Sequence, residues 1–535
     1  MTSPKTALLH RAKSFRLGAA ILLTTLILFA AATTAPAQTF TKLYDFGASP
    51  GDPANPFEEL FAQGRDANLY STTRDGGTYG LGTVFRVTPS GIVTVVYNFD
   101  GTHGATPFGG LTLGTDGNFY GTTFFGGSGQ CLGFGGGTVF KITPDGDLST
   151  LHNFGDDGCL PYVAPIEATD GNFYGTTGHD SYGNHGMVYK MTPSGNVKVL
   201  HQFGGYEVGE GLLQATDGNL YGNAQTALYE ITPGGQFTYL YSFTDALGVS
   251  LVQGTDGPLY GTACCGREVI YRVTSAGSYS VLHQFRRRDG IRPIAAMFQA
   301  TDGNFYGVAE TDGTAGAGTI YAIGRNRAFS VFYNFDNATG SQPDTPLVQH
   351  TNGILYGDAS AGGAYGYGTF FSLDLGLPPF ARLVSTSGQI GKNIGVLGQG
   401  FTGTSSVSFN GIPATFNVAS DTYLEAYVPD GALTGSVAVT TPTGTLTSNT
   451  IFRVTPKVLS FNPTSGGVGT PVVITGTGLT QTLRVGFGGV AATSFTIDSD
   501  TQVTAIVPDG AVTGKIAIAT QGGHDTGTQV FTVTP

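Results

Sequence analysis

The stretch ATDGNFYGTT occupies Ala168–Thr177, and close copies recur at 114–123, 215–223, 254–263 and 300–309. A repeat of about 40–55 residues restricts a chain to stacked or ringed units, because one unit cannot bury its own apolar face. Aligned on the Tyr that closes the motif, seven copies stand at Tyr70, Tyr120, Tyr174, Tyr221, Tyr260, Tyr306 and Tyr356. A second motif follows each, as in GTVFRVT (82–88), GTVFKIT (137–143) and GTFFSLD (368–374). An aromatic tail then closes the unit, as in VVYNF (95–99), LHNF (151–154) and LYSF (240–243).

Each unit reads as four strands. A short apolar strand leads into a tight Asp-Gly turn, where left-handed backbone favours Gly and Asp. NFYGTT is the second strand, GTVFKIT the third and the aromatic tail the fourth. The seventh unit stops after GTFFSLD, while FTKLYDF (40–46) is a tail with no unit before it. The two halves complete each other, which is how a β-propeller closes, and closure removes exposed strand edges. The expectation is an all-β chain with a seven-bladed propeller over 38–376, closed by its N-terminal strand. The first-to-second and third-to-fourth turns are short. The second-to-third and blade-to-blade connections are long and variable, and alternation puts both on one face, where binding usually lives.

The set DGNFYGTT…GTVFKITP.G…LYNF resembles the GloVer tandem-repeat proteins of exported bacterial origin, over the whole of the propeller region. That resemblance implies export and repeat architecture, and no reaction. Beyond GLPP (376–379) aromatics thin out, and two segments of about 80 residues, 377–456 and 457–535, repeat each other. LSFNPTSGGVGTPVVITGTGL (459–479) and the two VPDGA.TG stretches resemble the immunoglobulin-like IPT/TIG fold. The resemblance implies two small β-sandwiches, which act as spacer or adhesion modules.

The N-terminus reads as a signal peptide, 1–37. It has a basic start (Lys5, Arg11, Lys13, Arg16), an apolar stretch over 17–32 and APA at 35–37 before Gln38. An uncleaved anchor is the alternative. No further hydrophobic span follows, so the expectation is a secreted, periplasmic or cell-surface protein. Without those four basic residues, the 25 lysines and arginines become 21 against 37 acidic residues. Such a balance disfavours nucleic acid, whose phosphates need a positive face.

His152, His201 and His283 hold a place that is Tyr44, Tyr97, Tyr241 and Tyr333 in other units, which reads as packing. His179, Asp180 and His185 lie together in one long loop, with His103 in another. Imidazole and carboxylate suit a metal, but this spacing matches no metal signature and a solvated loop explains it as well. Arg286, Arg287 and Arg288 form a basic patch that suits an acidic glycan or protein. Cys131 and Cys159 belong to the same face and are the favoured disulfide. The adjacent Cys264 and Cys265 leave a vicinal disulfide, thiols or a structural turn open. Glu58, Glu59, Asp156, Asp157, Glu210 and Glu310 are acids available to glycoside chemistry, with nothing singling out a pair. No Ca²⁺ loop, phosphate loop or nucleophile elbow is present, and no cofactor is implied. The expectation is a non-enzymatic surface or envelope protein binding a glycan or protein through the long-loop face. The rival is a polysaccharide hydrolase or lyase acting at the channel mouth.

Overall fold

The computed structural model describes residues 38–535 except 58–59, 132–133, 181–184, 205–208, 225 and 245–246. The segment read as a signal peptide, Glu58 and Glu59 lie outside the described residues. No helix among the described residues is long and apolar enough to cross a membrane.

Among the described residues, seven four-stranded antiparallel sheets, like propeller blades, follow one another over 62–98, 112–153, 166–202, 209–242, 247–284, 298–334 and 348–374. The last is completed by Thr39–Asp45, paired antiparallel to Thr369–Asp374. The Gly that follows six of the seven motif tyrosines, Tyr70 being followed by Ser71, has a steric cause. It pairs with the aromatic residue of the third strand, Gly175 with Tyr189 and Gly307 with Tyr321. A Cβ there would overlap that ring's hydroxyl end. At these positions glycine leaves room for the fully buried rings.

Neighbouring sheets join at both edges. Along the outer edge, rings on consecutive fourth strands stack: His201 on Phe237 at 3.6 Å, Tyr241 on Tyr279 at 4.1 Å, His283 on Phe329 at 3.7 Å and Tyr333 on Phe40 at 3.6 Å. This is why His and Tyr interchange there. Along the inner edge, a side chain ending one sheet's first strand accepts the N–H of a Thr in the preceding sheet's turn. The acceptors are Glu167, Gln214, Gln253, Gln299, Gln349 and Gln63, at 2.7–3.1 Å. The last of these links the seventh sheet to the first, where Phe370 and Val348 also share an apolar cluster with Phe61, Leu69 and Phe85.

Residues 382–454 and 457–533 form two β-sandwiches of like topology. In the first, Val396 and Leu424 of one sheet pack on Val407, Phe409 and Val439 of the other. In the second, Ile474 and Val503 pack on Val485, Phe487 and Ile518.

Candidate functional site

The face carrying the Asp-Gly turns is internally satisfied. Asp66, Asp116, Asp170, Asp217, Asp256 and Asp302 each accept the hydroxyl of the Tyr four residues on, at 2.6–3.0 Å. Most also accept the backbone N–H of the Asn two residues on, as Asp116 does from Asn118 at 3.0 Å. Burial raises the carboxyls of Asp116 and Asp170, but the surrounding donors win and hold both below the usual carboxylate range. The DGNxY motif is thus a closed hydrogen-bonding unit, and its acids are structural.

The first sandwich docks on this face. The Arg65 guanidinium lies 4.3 Å over the Tyr423 ring, Thr422 donates to the Arg65 carbonyl at 2.7 Å, and Phe380 N–H donates to the Thr351 carbonyl at 3.1 Å. Beside this contact lies an open cleft of about 820 Å³ between the sixth sheet's turns and the sandwich, lined by Gln299, Asp302, Asn304, Arg325, Phe380 and Asn449. Its acidic group, Asp302, is already bound to Tyr306 and Asn304. Gln299 is bound to Thr255 and Gly303.

The opposite face is built differently. In five sheets a residue before a proline adopts left-handed backbone: Asn55, Thr106, Leu160, Arg292 and Gln342, with φ 52–57°. Such a conformation is costly for a non-glycine residue. Each carbonyl receives the N–H of the residue leaving its own sheet's second strand: Arg74, Phe124, Gly178, Glu310 and Ser360, at 3.0–3.3 Å. The proline, lacking an N–H, cuts the first strand to two residues. The fourth and fifth sheets lack this proline, and their first strands run for six and seven residues.

The residue after the proline therefore differs from sheet to sheet and faces its neighbours. Phe57, Phe108 and Tyr162 occupy that place in the first three sheets. Phe57 and Phe108 lie 5.5 Å apart, and Phe108 and Tyr162 lie 6.2 Å apart at 20°. Phe124 fills the gap, 4.8 Å from both Phe108 and Tyr162, and the exposed Phe125 continues the arc at 4.6 Å. Arg74 sits 5.7 Å above Phe57. The sixth and seventh sheets put acids in the corresponding region. Glu310, 7% exposed, is held by Arg292 at 3.0 Å, and burial raises its carboxyl against that pairing. Asp344 accepts Ser360 Oγ at 2.6 Å. Asp358 is fully buried, and burial pushes it up to about 7 against the opposing pull of the Thr345 side chain. The signal for this arc was Pro-Phe, Pro-Phe, Pro-Tyr at 56–57, 107–108 and 161–162, masked by the many aromatics of the repeat.

The residues singled out from sequence are dispersed over this face. His103 lies 3.4 Å from Asp100 and edge-on to Tyr97. The backbone of His179 bridges Cys159, and its Nδ1 is buried without a hydrogen bond. Asp180 is 7% exposed, and its carbonyl lies 3.0 Å from Cys159 Sγ. His185 is half-buried. Among the described residues no three His, Cys, Asp or Glu side chains gather to hold a metal, so His179, Asp180, His185 and His103 form no cage. Arg286, Arg287 and Arg288 are exposed around a short turn whose buried Asp289 accepts the Arg286 N–H and lies 3.2 Å from His283. Asp157 pairs with His152 at 3.0 Å, on the outer edge. The side chain of Glu210 lies outside the described residues. Cys131 and Cys159 are joined, with Cα atoms 6.3 Å apart. Cys264 and Cys265 are thiols.

The Gloeobacter/Verrucomicrobia repeat matches residues 28–162 and 223–412, more than half of the chain. The chain belongs to the Gloeobacter/Verrucomicrobia repeat family. Residues 456–534 match the IPT/TIG domain, and 377–456, for all its sandwich topology, carries no such match. The match covers the first two sheets and the last three, leaves out the third sheet and the first half of the fourth, and ends inside the first sandwich. Among solved structures, a virginiamycin B lyase from Staphylococcus aureus is 14% identical, covering 63% of this chain and 99% of its own, with a TM-score of 0.45. A gluconolactonase from Xanthomonas campestris is 14% identical, covering 65% and 93%, at 0.34. A surface glycan-binding protein from Prevotella bryantii is 20% identical, covering 28% and 41%, at 0.22. TM-scores this low carry no argument about activity. No curated protein sequence matches the chain.

Proposed function

We propose that this member of the repeat family is an exported, non-enzymatic surface or envelope protein. Its seven sheets close into a seven-bladed propeller whose long-loop mouth binds a glycan. The Gln63–Thr351 link between the first and seventh sheets supports closure. The first sandwich is a second IPT/TIG-like module, and the pair holds the propeller by its turn face and leaves the other face open.

The observation that carries the binding reading is the aromatic arc of Phe57, Phe108, Phe124 and Tyr162. The first three sheets supply Phe57, Phe108 and Tyr162 at equivalent places, with Phe124 between the last two, and the other four sheets put no aromatic there. Half-buried rings give a sugar's apolar C–H face a flat partner, and the guanidinium beside Phe57 gives its hydroxyls a donor. A polysaccharide hydrolase or lyase is the second reading, favoured by the raised Glu310 at the same mouth.

The test incubates the chain with immobilised and soluble polysaccharides, recording both depletion of protein and product masses. Retention with unaltered glycan is the expected result. Phe108→Ala is expected to weaken retention about tenfold, equivalent to about 1.4 kcal/mol. New oligosaccharides would move the function to the acids of the sixth and seventh sheets. Neither signal would leave a protein as the partner.

A further inference from the structure

Successive residues of a strand point to opposite faces. Cys264 ends the second strand of the fifth sheet, Leu259–Cys264, so a continued strand would hold the thiols of Cys264 and Cys265 apart. The chain instead turns at once. Cys265 takes φ 65°, and the next strand begins at Val269. That left-handed residue swings the second side chain back over the first and brings the sulfurs to 2.7 Å. Exposure divides the pair: Cys265 is open to solvent, and Cys264 is 3% exposed directly behind it. The chain's other two cysteines are a closed pair, 2% and 0% exposed, bonded across 28 residues.

We propose that Cys264 and Cys265 form a thiol–disulfide exchange site whose substrate is a low-molecular-weight disulfide such as oxidised glutathione. The Cys265 thiolate attacks one substrate sulfur, the substrate S–S bond breaks, and one glutathione thiolate leaves and takes up a proton. Cys264, after losing its own proton, attacks Cys265 Sγ, the mixed disulfide breaks and the second glutathione leaves. Two protein thiols are oxidised to one disulfide, and one disulfide is reduced to two thiols. Adjacent Cα atoms lie about 3.8 Å apart across a trans peptide. Ordinary disulfides span roughly 4.4–6.8 Å, so the vicinal ring is of the readily reduced kind, and a dithiol such as dithiothreitol returns it to two thiols while being oxidised to its own disulfide. The site lies at the exit of a second strand on the long-loop face, and it does not depend on glycan binding.

The purified chain is treated with mild dithiothreitol, then with oxidised glutathione, alkylated and measured by intact and peptide mass. After dithiothreitol, two labels are expected, on Cys264 and Cys265, with Cys131–Cys159 still bonded. After glutathione, the expected result is no label, no retained glutathione and a Cys264–Cys265 disulfide in the peptide spanning both. Two persistent labels, or a glutathione adduct that stays on the chain, would overturn the proposal. In Cys264→Ser the adduct on Cys265 is expected to persist, because the resolving thiol is gone. Its spontaneous loss there would equally overturn it. The unsubstituted chain decides the matter alone if that variant fails to fold.

Discussion

The two faces of the repeat region are made from the same seven sheets and obey opposite rules. On the turn face six units repeat the bond from Tyr hydroxyl to Asp and the seventh closes the same turn with Asn352, and the first sandwich sits on it. On the long-loop face the backbone frame, with its left-handed residue before proline, repeats in five of the seven sheets, but the side chains it presents do not. Aromatics, acids and thiols each fall to different sheets. Repetition marks what folding requires, and divergence on a repeated frame marks where function has room. Asp358 sharpens the contrast. Its place in four other sheets is held by Thr72, Thr122, Thr176 and Thr262, and burying a carboxylate there costs more than the Thr345 side chain returns.

Asp358 should therefore dominate the pH dependence of stability. Its folded pKa, pushed up by burial to about 7, lies above the unfolded value of about 3.9. Between those values the folded chain keeps a proton that the unfolded chain has lost, so stability falls as pH rises. The full effect is about 4 kcal/mol, reached above pH 7. Asp116 and Asp170, held below their usual range, act the other way, and their contribution is lost as pH falls below about 4. Asp358→Thr is expected to raise denaturant stability at pH 8 by about 4 kcal/mol and to change it little at pH 4. Equal slopes for the two proteins between pH 4 and 7 would mean that Asp358 is satisfied by a partner, and the contrast between faces would weaken.

The faces should also differ in how they tolerate a methyl group. Gly171, in a turn, has φ 76° with open space where a Cβ would go, and the first sheet places Ala67 at the same position with φ 63°. Gly104, on the loop face, has φ 118°, and a Cβ would overlap Thr123 Oγ1. That hydroxyl cannot turn away, being bonded to Thr138 at 2.9 Å and to the Phe125 carbonyl at 3.0 Å. Gly171→Ala is expected to cost about 1 kcal/mol and Gly104→Ala about 3 kcal/mol, with the aromatic arc disturbed only in the second. Thermal unfolding of both variants checks the difference. Similar costs would mean that the loop-face frame yields, and is not the rigid support that a preformed arc needs.

The sequence carried the strand order, the Asp-Gly turns and the completion of the last sheet by residues 39–45 because these follow from periodicity and turn chemistry. The pairing of Cys131 with Cys159 was legible from the shared face of two loops. Other features were not legible, for identifiable reasons. Leu160 and Arg292 in left-handed backbone before proline contradict local preference and are held there by contacts remote in sequence, among them the N–H groups of Gly178 and Glu310 on their carbonyls. The Gln–Thr links join residues 37–48 apart, and 288 apart for Gln63 and Thr351, and their meeting needs two complete sheets. His179, Asp180 and His185 are close in sequence, but the Cys159 backbone bridge commits His179 to the loop's own structure.

The smallest effect tests the turn face at a single atom. Asp302→Ala removes the acceptor of the Tyr306 hydroxyl, at 2.8 Å, and of the Asn304 N–H, at 3.0 Å. Tyr306 is 2% exposed, so its hydroxyl would lose its partner largely out of reach of water, at a cost of about 2 kcal/mol. Asp302→Asn should behave differently, because the seventh sheet already runs the motif with an amide. There Asn352 Oδ1 accepts the Ile354 N–H at 2.9 Å, and its Nδ2 donates to the Tyr356 hydroxyl at 3.1 Å. The Tyr hydroxyl changes from donor to acceptor and the unit stays closed, so Asp302→Asn is expected to fall within about 0.5 kcal/mol of the unsubstituted chain. Urea unfolding of the two variants separates the cases. If Asn costs as much as Ala, the carboxylate's charge is what the turn needs, and the seventh sheet must compensate for lacking it through the first sandwich, whose Phe380 and Gln399 both bond to Thr351 beside Asn352. If only Ala is costly, the turn face needs a hydrogen-bonding partner at that position and not a charge, and its acids can be set aside as binding groups.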